Sequence, residues 1–377
     1  MVMEWAISER GHEPMPIIAT PHRAAFGDAL RANCTLDRAA VPTRTALRPI
    51  VAIGIVLAVG LATGNPAAGA IAAGGALSVG FGSFQSLGRD RVAPMLLATA
   101  GVTVATLIGC FTGHNAAAFV LFSALAAYTC GLFACLSQGI WWISLQCAVY
   151  AFIASSHPAG VEQVMERVAC VFVGAALQAL LLIGFFKVED LCNRTSAPEP
   201  YRLVIAKGVQ TLRRNISPRT ATGREAIRLA LAVAIAAAAG RVLPFQSGYW
   251  LPMTTLIVLR PDVELTMRYG LGRMAGTLIG AGLTTAITVA LRPGPEELAV
   301  LVLLFAWLCY LLKKANYGLY AVCITSYVVF LSAMVGLPEY SVAYSRVVYT
   351  LMGGALALIA HFVLSGPQQP ENEASLE

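Results

Sequence analysis

A group of aromatic, hydroxyl and charged side chains interrupts an apolar stretch in the second half of the chain. Its members are Tyr249, Trp250, Thr254, Arg260, Asp262, Glu264, Arg268 and Arg273. A charge at the centre of a membrane helix costs roughly 2.5–3.5 kcal/mol, so such a group is a functional hypothesis. We predict an anion path with Arg260, Arg268 and Arg273 at its inner mouth. Asp262 and Glu264 are the candidates for proton coupling.

The same residues also have a structural interpretation, which the sequence leaves open. Arg260 and Asp262 flank Pro261, so they can simply pair in a cytoplasmic turn between two helices. Tyr249 and Trp250 are typical of the aromatic belt at the membrane surface. Alternatively, they line the outer end of a path for an aromatic ring.

Two further arginines occupy related positions in the two halves of the chain. The same interval of seven residues separates Arg167 from Gly174 and Arg346 from Gly353. Each arginine is expected near the outer end of the sixth helix of its half. An isolated arginine there is usually an interfacial anchor, but two in register also fit a role at the repeat interface.

The elements that position these residues are membrane helices. Hydrophobic residues make up 57% of the 377-residue chain and charged residues only 12%, whereas a soluble protein is normally about 45–50% apolar. Apolar runs long enough to cross a bilayer recur along the chain. The pattern predicts an all-α polytopic membrane protein with about 12 transmembrane helices, arranged as two parallel six-helix repeats, because an even number of helices returns each half to the same side.

The predicted organisation has five parts. They are an N-terminal cytoplasmic tail (1–45), a first membrane bundle (46–186), a short linker (187–224), a second bundle (225–366) and a C-terminal tail (367–377). The second helix of each half is either rich in glycine or short and interrupted by proline. Interrupted segments at matching positions of two repeats point to a substrate site. We expect the ninth helix to begin near Gly270, which would place Arg273 at the inner mouth.

Basic residues predict the orientation. With the N-terminus inside, only four of the 26 Lys and Arg residues face outward, namely Arg167, Arg241, Arg292 and Arg346. Cytoplasmic loops are enriched in Lys and Arg, so both termini are expected in the cytoplasm. The first 45 residues contain no apolar core of a cleaved signal peptide, which favours a multi-pass protein of the inner (cytoplasmic) membrane.

Several classes of function lack support in the sequence. Walker, HExxH, GxSxG and dinucleotide-binding motifs are absent, so we expect neither an enzyme nor a bound cofactor. The nine cysteines include no CxxC pair, and we interpret those in apolar runs as packing residues rather than metal ligands. The net charge of +6 concerns membrane topology rather than nucleic acid binding.

The second half resembles a known family. The resemblance lies in Tyr249-Trp250-Leu251-Pro252, Thr254, Val258, Arg260-Pro261 and the run Arg273 to Gly280. This pattern is similar to that of the fusaric acid resistance-like (FUSC) membrane proteins, which include aromatic acid exporters. The resemblance implies an inner-membrane permease for organic anions, in particular aromatic carboxylates. The positions that match best are Tyr249, Trp250, Thr254, Arg273, Gly276 and Thr277.

The chain departs from the family pattern in its linker. Typical members carry a large cytosolic domain after each six-helix block, whereas residues 187–224 form only a short connection. Assembly with a periplasmic adaptor is therefore not carried over. The expected partners are a small organic anion and the lipid bilayer, and a homo-oligomer is compatible with the sequence. The prediction is an efflux permease driven by the membrane potential or a proton gradient; the alternatives are a passive anion channel and a non-transporting scaffold.

Overall fold

A computed structural model describes residues 22–41, 43–87, 90–157, 159–192, 201–244 and 247–364. Within these ranges the chain is helical, and the pairing of Leu87 with Asp90 is an isolated bridge outside any strand. The all-α fold class is confirmed.

Two helices precede the first membrane bundle, and six more form it. The first two are α1 (His22–Cys34) and α2 (Thr43–Leu47). The bundle contains α3 (Ile50–Ala62), α4 (Pro66–Gly80), α5 (Ala93–Thr112), α6 (Ala116–Phe133), α7 (Gln138–Ser155) and α8 (Val161–Cys192). A 3-10 turn, Phe81–Phe84, continues from the end of α4.

The linker contains a helix of its own, and six more helices follow it. The linker helix is α9 (Tyr201–Asn215). The second bundle contains α10 (Ala221–Val242), α11 (Trp250–Val258), α12 (Val263–Leu291), α13 (Pro295–Leu312), α14 (Tyr317–Met334) and α15 (Glu339–Leu364).

Nine helices of the described part are long and apolar enough to cross a membrane. They include α3 to α6 and α8 in the first half and α12 to α15 in the second. The chain is therefore a multi-pass membrane protein. The remaining helices of the two halves, α7, α10 and α11, are more polar or shorter, so the count of twelve spans stays a prediction.

Helix pairing in the first half recurs in the second. Contacts of α5 with α7, α4 with α8 and α5 with α8 correspond to those of α12 with α14, α11 with α15 and α12 with α15. The two halves also contact each other in an equivalent way: α7 of the first half packs on α11 of the second, and α14 of the second half packs on α4 of the first. This pattern supports the internal repeat that the arginine intervals predict.

Glycines allow the closest of these approaches. A Cβ atom added to Gly280 of α12 would lie 2.7 Å from the backbone oxygen of Val322 on α14. In the first half, a Cβ atom on Gly75 of α4 would lie 2.5 Å from the backbone oxygen of Val171 on α8. Small residues let membrane helices pack backbone to backbone, where no hydrophobic effect separates helix from lipid.

Several predicted boundaries were too narrow. The apolar runs begin near Val168, Gly270 and Val347, but α8, α12 and α15 begin at Val161, Val263 and Glu339. The first turns of these helices carry charged residues, which a search for apolar runs rejects although they are helical.

The predicted N-terminal tail also contains structure. Part of it, α1, packs on α12 and α14: the side-chain amide of Asn33 donates to the backbone oxygen of Arg268 at 3.0 Å. In return, the amide of Asn316 donates to the backbone oxygens of Asn33 and Thr35, both at 2.8 Å.

Candidate functional site: a cationic cavity between the two halves

A cavity of about 420 Å³ lies between the two halves and is lined mainly by α4, α7, α11 and α14. Its lining extends from Gln138 in the first turn of α7 to His157 just beyond that helix. Along α14 it extends from Tyr317 to Val335. The 18 residues of α7 span about 27 Å, close to the roughly 30 Å of a bilayer core. The cavity therefore follows these helices over their whole length. We call the end near Gln138 the inner end and the end near His157 the outer end.

The second helix of each half is interrupted beside this cavity. Ser247, with φ 62°, precedes the nine-residue helix α11, and Leu259 follows it in an extended conformation. The turn after α11 is closed by Thr266, whose hydroxyl accepts from the backbone N–H of Arg260 at 3.0 Å and donates to the backbone oxygen of Asp262 at 2.8 Å. In the first half, α4 gives way to a 3-10 turn at the corresponding position. Irregular backbone at membrane depth is tolerated where it lines a cavity.

The charged residues that line the cavity are all basic. They are Arg167, Arg260, Arg273, Lys313 and Arg346, and the lining residues that the structure describes include no Asp or Glu. None of the five makes an ion pair with another described residue. Among the described residues, Arg228 pairs with Glu225, and neither of these two residues lines the cavity. Uncompensated buried charges are costly, so the cavity favours an anion.

Arg346 of α15 is the most buried of these cations, with only 1% of its surface exposed. Its guanidinium carbon lies 4.0 Å from the centre of the Trp250 ring, and its Nε donates to the Thr325 hydroxyl at 3.3 Å. Its two terminal nitrogens, Nη1 and Nη2, are buried and have no hydrogen-bond partner among the described residues. This free pair of donors has the geometry that binds a carboxylate through two parallel hydrogen bonds.

Arg273 of α12 lines the same cavity and is also almost completely buried, with 4% of its surface exposed. Because α12 begins at Val263 rather than near Gly270, Arg273 lies ten residues, or about 15 Å, inside the helix. The neighbouring Gly272 packs on Asn33 of α1 and on Tyr317 at the start of α14. The backbone of Arg273 therefore lies level with the inner end of α14, and its role at the inner mouth stays a prediction.

Arg260 is held by aromatic rings at the inner end. Its guanidinium carbon lies 4.4 Å from the centre of the Trp141 ring and 5.0 Å from that of Tyr269. The Tyr269 ring in turn packs edge-on against Tyr317, with 4.5 Å between their centres. Lys313 also lies at this end, with its Nζ 3.9 Å from the centre of the Phe81 ring. Cation–π contacts can hold these cations without neutralising their charge.

The remaining predicted residues are distributed unequally. Tyr249, Trp250 and Arg167 also line the cavity, and at its outer end Arg167 donates to the backbone oxygen of His157 at 2.7 Å. Thr254 is fully buried but faces Gly353 of α15 instead of the cavity. Arg268 is half-buried and lies outside the lining.

The structure does not bring Asp262 and Glu264 to the cavity. Both side chains are exposed beyond the inner end. Asp262 caps α12, since its carboxylate accepts the backbone N–H of Leu265 at 2.9 Å.

Sequence reasoning missed most of the aromatic lining. Trp141, Tyr269, Tyr317 and Tyr327 face the cavity, as does Lys313. The aromatic residues lie within or beside apolar helices, where an aromatic ring usually indicates packing. The internal repeat could have indicated this lining. The helices α7 and α14 occupy equivalent positions in the two halves, and both line the cavity.

These features define a multi-pass helical membrane protein with a cation-lined cavity along its length. Residues 233–360 match the model of the fusaric acid resistance protein-like family. This part of the chain, which holds four of the five cavity cations, is therefore similar to fusaric acid resistance protein-like domains.

Relatives resemble the chain over a similar length. It is 28% identical to the inner membrane protein YccS of Escherichia coli over 149 residues, which is 40% of this chain and 20% of YccS. It is 30% identical over 136 residues to an uncharacterized protein of Synechocystis, covering 36% of this chain and 18% of that protein. An uncharacterized protein of Neisseria gonorrhoeae is 26% identical over 151 residues, 40% of this chain and 36% of its own length. No solved structure matches the chain.

Proposed function

We propose that the protein is a permease that moves organic anions, chiefly aromatic carboxylates, out of the cytoplasm through this cavity. The observation that carries the proposal is the lining, which combines five cations with ten aromatic residues and, in the part that the structure describes, no carboxylate. The cations supply attraction for a carboxylate, and the aromatic rings supply a surface for the rest of the molecule. The volume of about 420 Å³ falls within the range of small-molecule sites.

The membrane potential is the simplest driving force for this export. An inside-negative potential favours the exit of a monoanion by about 2.3 kcal/mol per 100 mV. Asp262 and Glu264, the proton-coupling candidates, are exposed outside the lining, so the proposal assigns them no proton transfer in the cavity.

A passive organic-anion channel is the second candidate. The observation that favours it is the continuous lining along α7 and α14 from the inner to the outer end. A channel and a permease differ in kinetics. A permease saturates and is accelerated by substrate on the opposite side, whereas flux through an open channel is not accelerated in this way.

Uptake into inverted membrane vesicles tests the proposal. Vesicles that contain the protein should accumulate benzoate or a similar aromatic acid when their lumen is made positive, and Arg346→Gln should reduce this uptake strongly. Arg91→Gln is the matched control, because Arg91 is exposed and stacks on Phe186 outside the cavity, 4.3 Å from that ring. Uptake no faster than in vesicles without the protein, for a full panel of aromatic and aliphatic acids, would leave the scaffold interpretation.

A further inference from the structure

The cations of the cavity form two groups at different depths. Arg346 stacks on Trp250 in the first turn of α11, whereas Arg260 follows the end of the same helix. The nine residues of α11 alone account for about 13 Å between these positions. A single-ring carboxylate is shorter than this separation and has one carboxylate to offer. It therefore engages one group or the other.

The deep group is Arg346 on the Trp250 ring. Arg346 is almost completely buried, and its terminal nitrogens Nη1 and Nη2 have no partner among the described residues. A carboxylate here fills the two free donors of Arg346 at once. The Trp250 ring holds the guanidinium plane in place.

The inner group is Arg260 with its aromatic neighbours. Its Nε is buried and has no hydrogen-bond partner in the described part of the chain, and its charge is held between Trp141 and Tyr269. The backbone oxygen of Arg260 is fixed separately by the guanidinium of Arg228, at 2.9 Å. The side chain of Arg260 is thus positioned at the inner end independently of the deep group.

We infer that the cavity holds two carboxylate anions at once, a deep one at Arg346 and an inner one at Arg260. The inference rests on the proposed function, because it describes how the same cavity is occupied. Two anions in one cavity repel each other, so the arrival of the second promotes release of the first. In ion pathways, several binding sites allow an ion to bind well enough to enter and still to leave quickly. A single anion bound to a buried arginine would instead leave slowly.

Each site has its own tryptophan, which makes the inference testable by fluorescence. Trp141 reports the inner site and Trp250 the deep one. In full-length protein purified in detergent, Trp5, Trp142 and Trp307 are replaced by Phe, and then either Trp250→Phe or Trp141→Phe leaves a single reporter. Titration with benzoate follows each reporter. Circular dichroism and elution as a single species establish that every variant is folded.

Two sites predict two separate titrations, each controlled mainly by its own arginine. Arg346→Gln should weaken the response of Trp250 roughly tenfold or more while shifting Trp141 by less than threefold, and Arg260→Gln should do the reverse. Arg346→Lys and Arg260→Lys keep the positive charge and serve as second variants where a Gln variant fails to fold. A common midpoint for both reporters, displaced equally by either substitution, would show one shared site and overturn the inference while leaving the proposed function intact. Folded protein in which neither reporter responds to benzoate or to other carboxylates would contradict the proposed function itself.

Discussion

The guanidinium carbon of Arg346 lies 4.0 Å from the centre of the Trp250 ring, although the two residues are 96 positions apart in the sequence. This contact joins the most buried cation of the cavity to the first turn of the interrupted helix. A buried cation over an indole ring gains about 2 kcal/mol, and the ring also fixes the guanidinium plane. Anion recognition at the deep site should therefore depend on Trp250 even though indole carries no charge.

Replacement of Trp250 tests this dependence. Trp250→Leu should raise the apparent KM for benzoate roughly 5- to 30-fold, because it removes about 1–2 kcal/mol of stacking. Trp250→Phe keeps a weaker aromatic face, so its apparent KM should lie between those of the wild type and Trp250→Leu. Trp307→Leu is the control, since Trp307 lies outside the lining. An equal effect of the Trp250 and Trp307 substitutions on KM would show that the contact matters only for folding.

Arg273 and Arg268 provide a second comparison, because they lie on the same helix but only Arg273 lines the cavity. Arg273→Ala should weaken export by about 1.5–3 kcal/mol, the contribution of a charged hydrogen bond, and Arg273→Lys by less. Arg268→Ala should leave export near the wild-type rate. Transport by Arg273→Lys at the wild-type rate and affinity, at equal protein level in vesicles, would remove Arg273 from the site.

Much of the fold can be predicted from the sequence because helices that cross a bilayer need long runs of apolar residues. Long apolar runs correspond to the membrane helices, and the turn after Val258 is visible in Arg260, Pro261 and Asp262. The ends of α8, α12 and α15 were not predictable from apolarity, because their first turns carry charges.

The cavity is harder to foresee than the helices. Arg260, Arg273 and Arg346 stand out as charges in apolar sequence, and all three line the cavity. Trp141 and Tyr317 do not stand out, since an aromatic residue looks the same in sequence whether it faces lipid, another helix or a cavity. Asp262 and Glu264 stand out in the sequence but do not line the cavity. They lie close to Arg260 in the sequence, but at the start of α12 both side chains are exposed.

Two glycines of α12 should differ in their tolerance of a methyl group. A Cβ atom on Gly280 would lie 2.7 Å from the backbone oxygen of Val322, whereas nothing lies within 4 Å of one on Gly282. Gly280→Ala should destabilise the protein by about 1–3 kcal/mol through overpacking. Gly282→Ala should be neutral or slightly stabilising, since Ala favours a helix. Thermal unfolding in detergent measures both, and a loss of the same size at Gly282 would contradict the α12–α14 packing.

The orientation can be tested with single cysteines. In a variant without native cysteines, His114→Cys lies in the exposed turn between α5 and α6, and Gln210→Cys lies on the exposed side of α9. The distribution of Lys and Arg predicts that a membrane-impermeant maleimide labels position 114 but not position 210 in cells with a permeable outer layer. Labelling of position 210 alone would reverse the orientation.

Lys313 should make anion binding depend on pH at the inner end. Burial, with a smaller contribution from the positive charge of Lys314, lowers the pKa of Lys313 from 10.5 to about 7. Between pH 7 and 10.5 the unfolded chain therefore binds more protons at this residue, so its contribution to the free energy of unfolding rises with pH. Below about pH 7 the folded protein carries the charge, and the cavity becomes more positive.

Benzoate binding should follow this titration. A carboxylic acid with a pKa near 4 stays ionised from pH 6 to 8.5, so a change in affinity over this range reports the protein. We expect affinity to rise roughly three- to tenfold as the pH falls from 8.5 to 6. Lys313→Gln should abolish the dependence, whereas Lys314→Gln, at an exposed position outside the lining, should retain it with a slightly higher midpoint. If Lys313→Gln retains the full pH dependence, another group is responsible and Lys313 does not contact the anion.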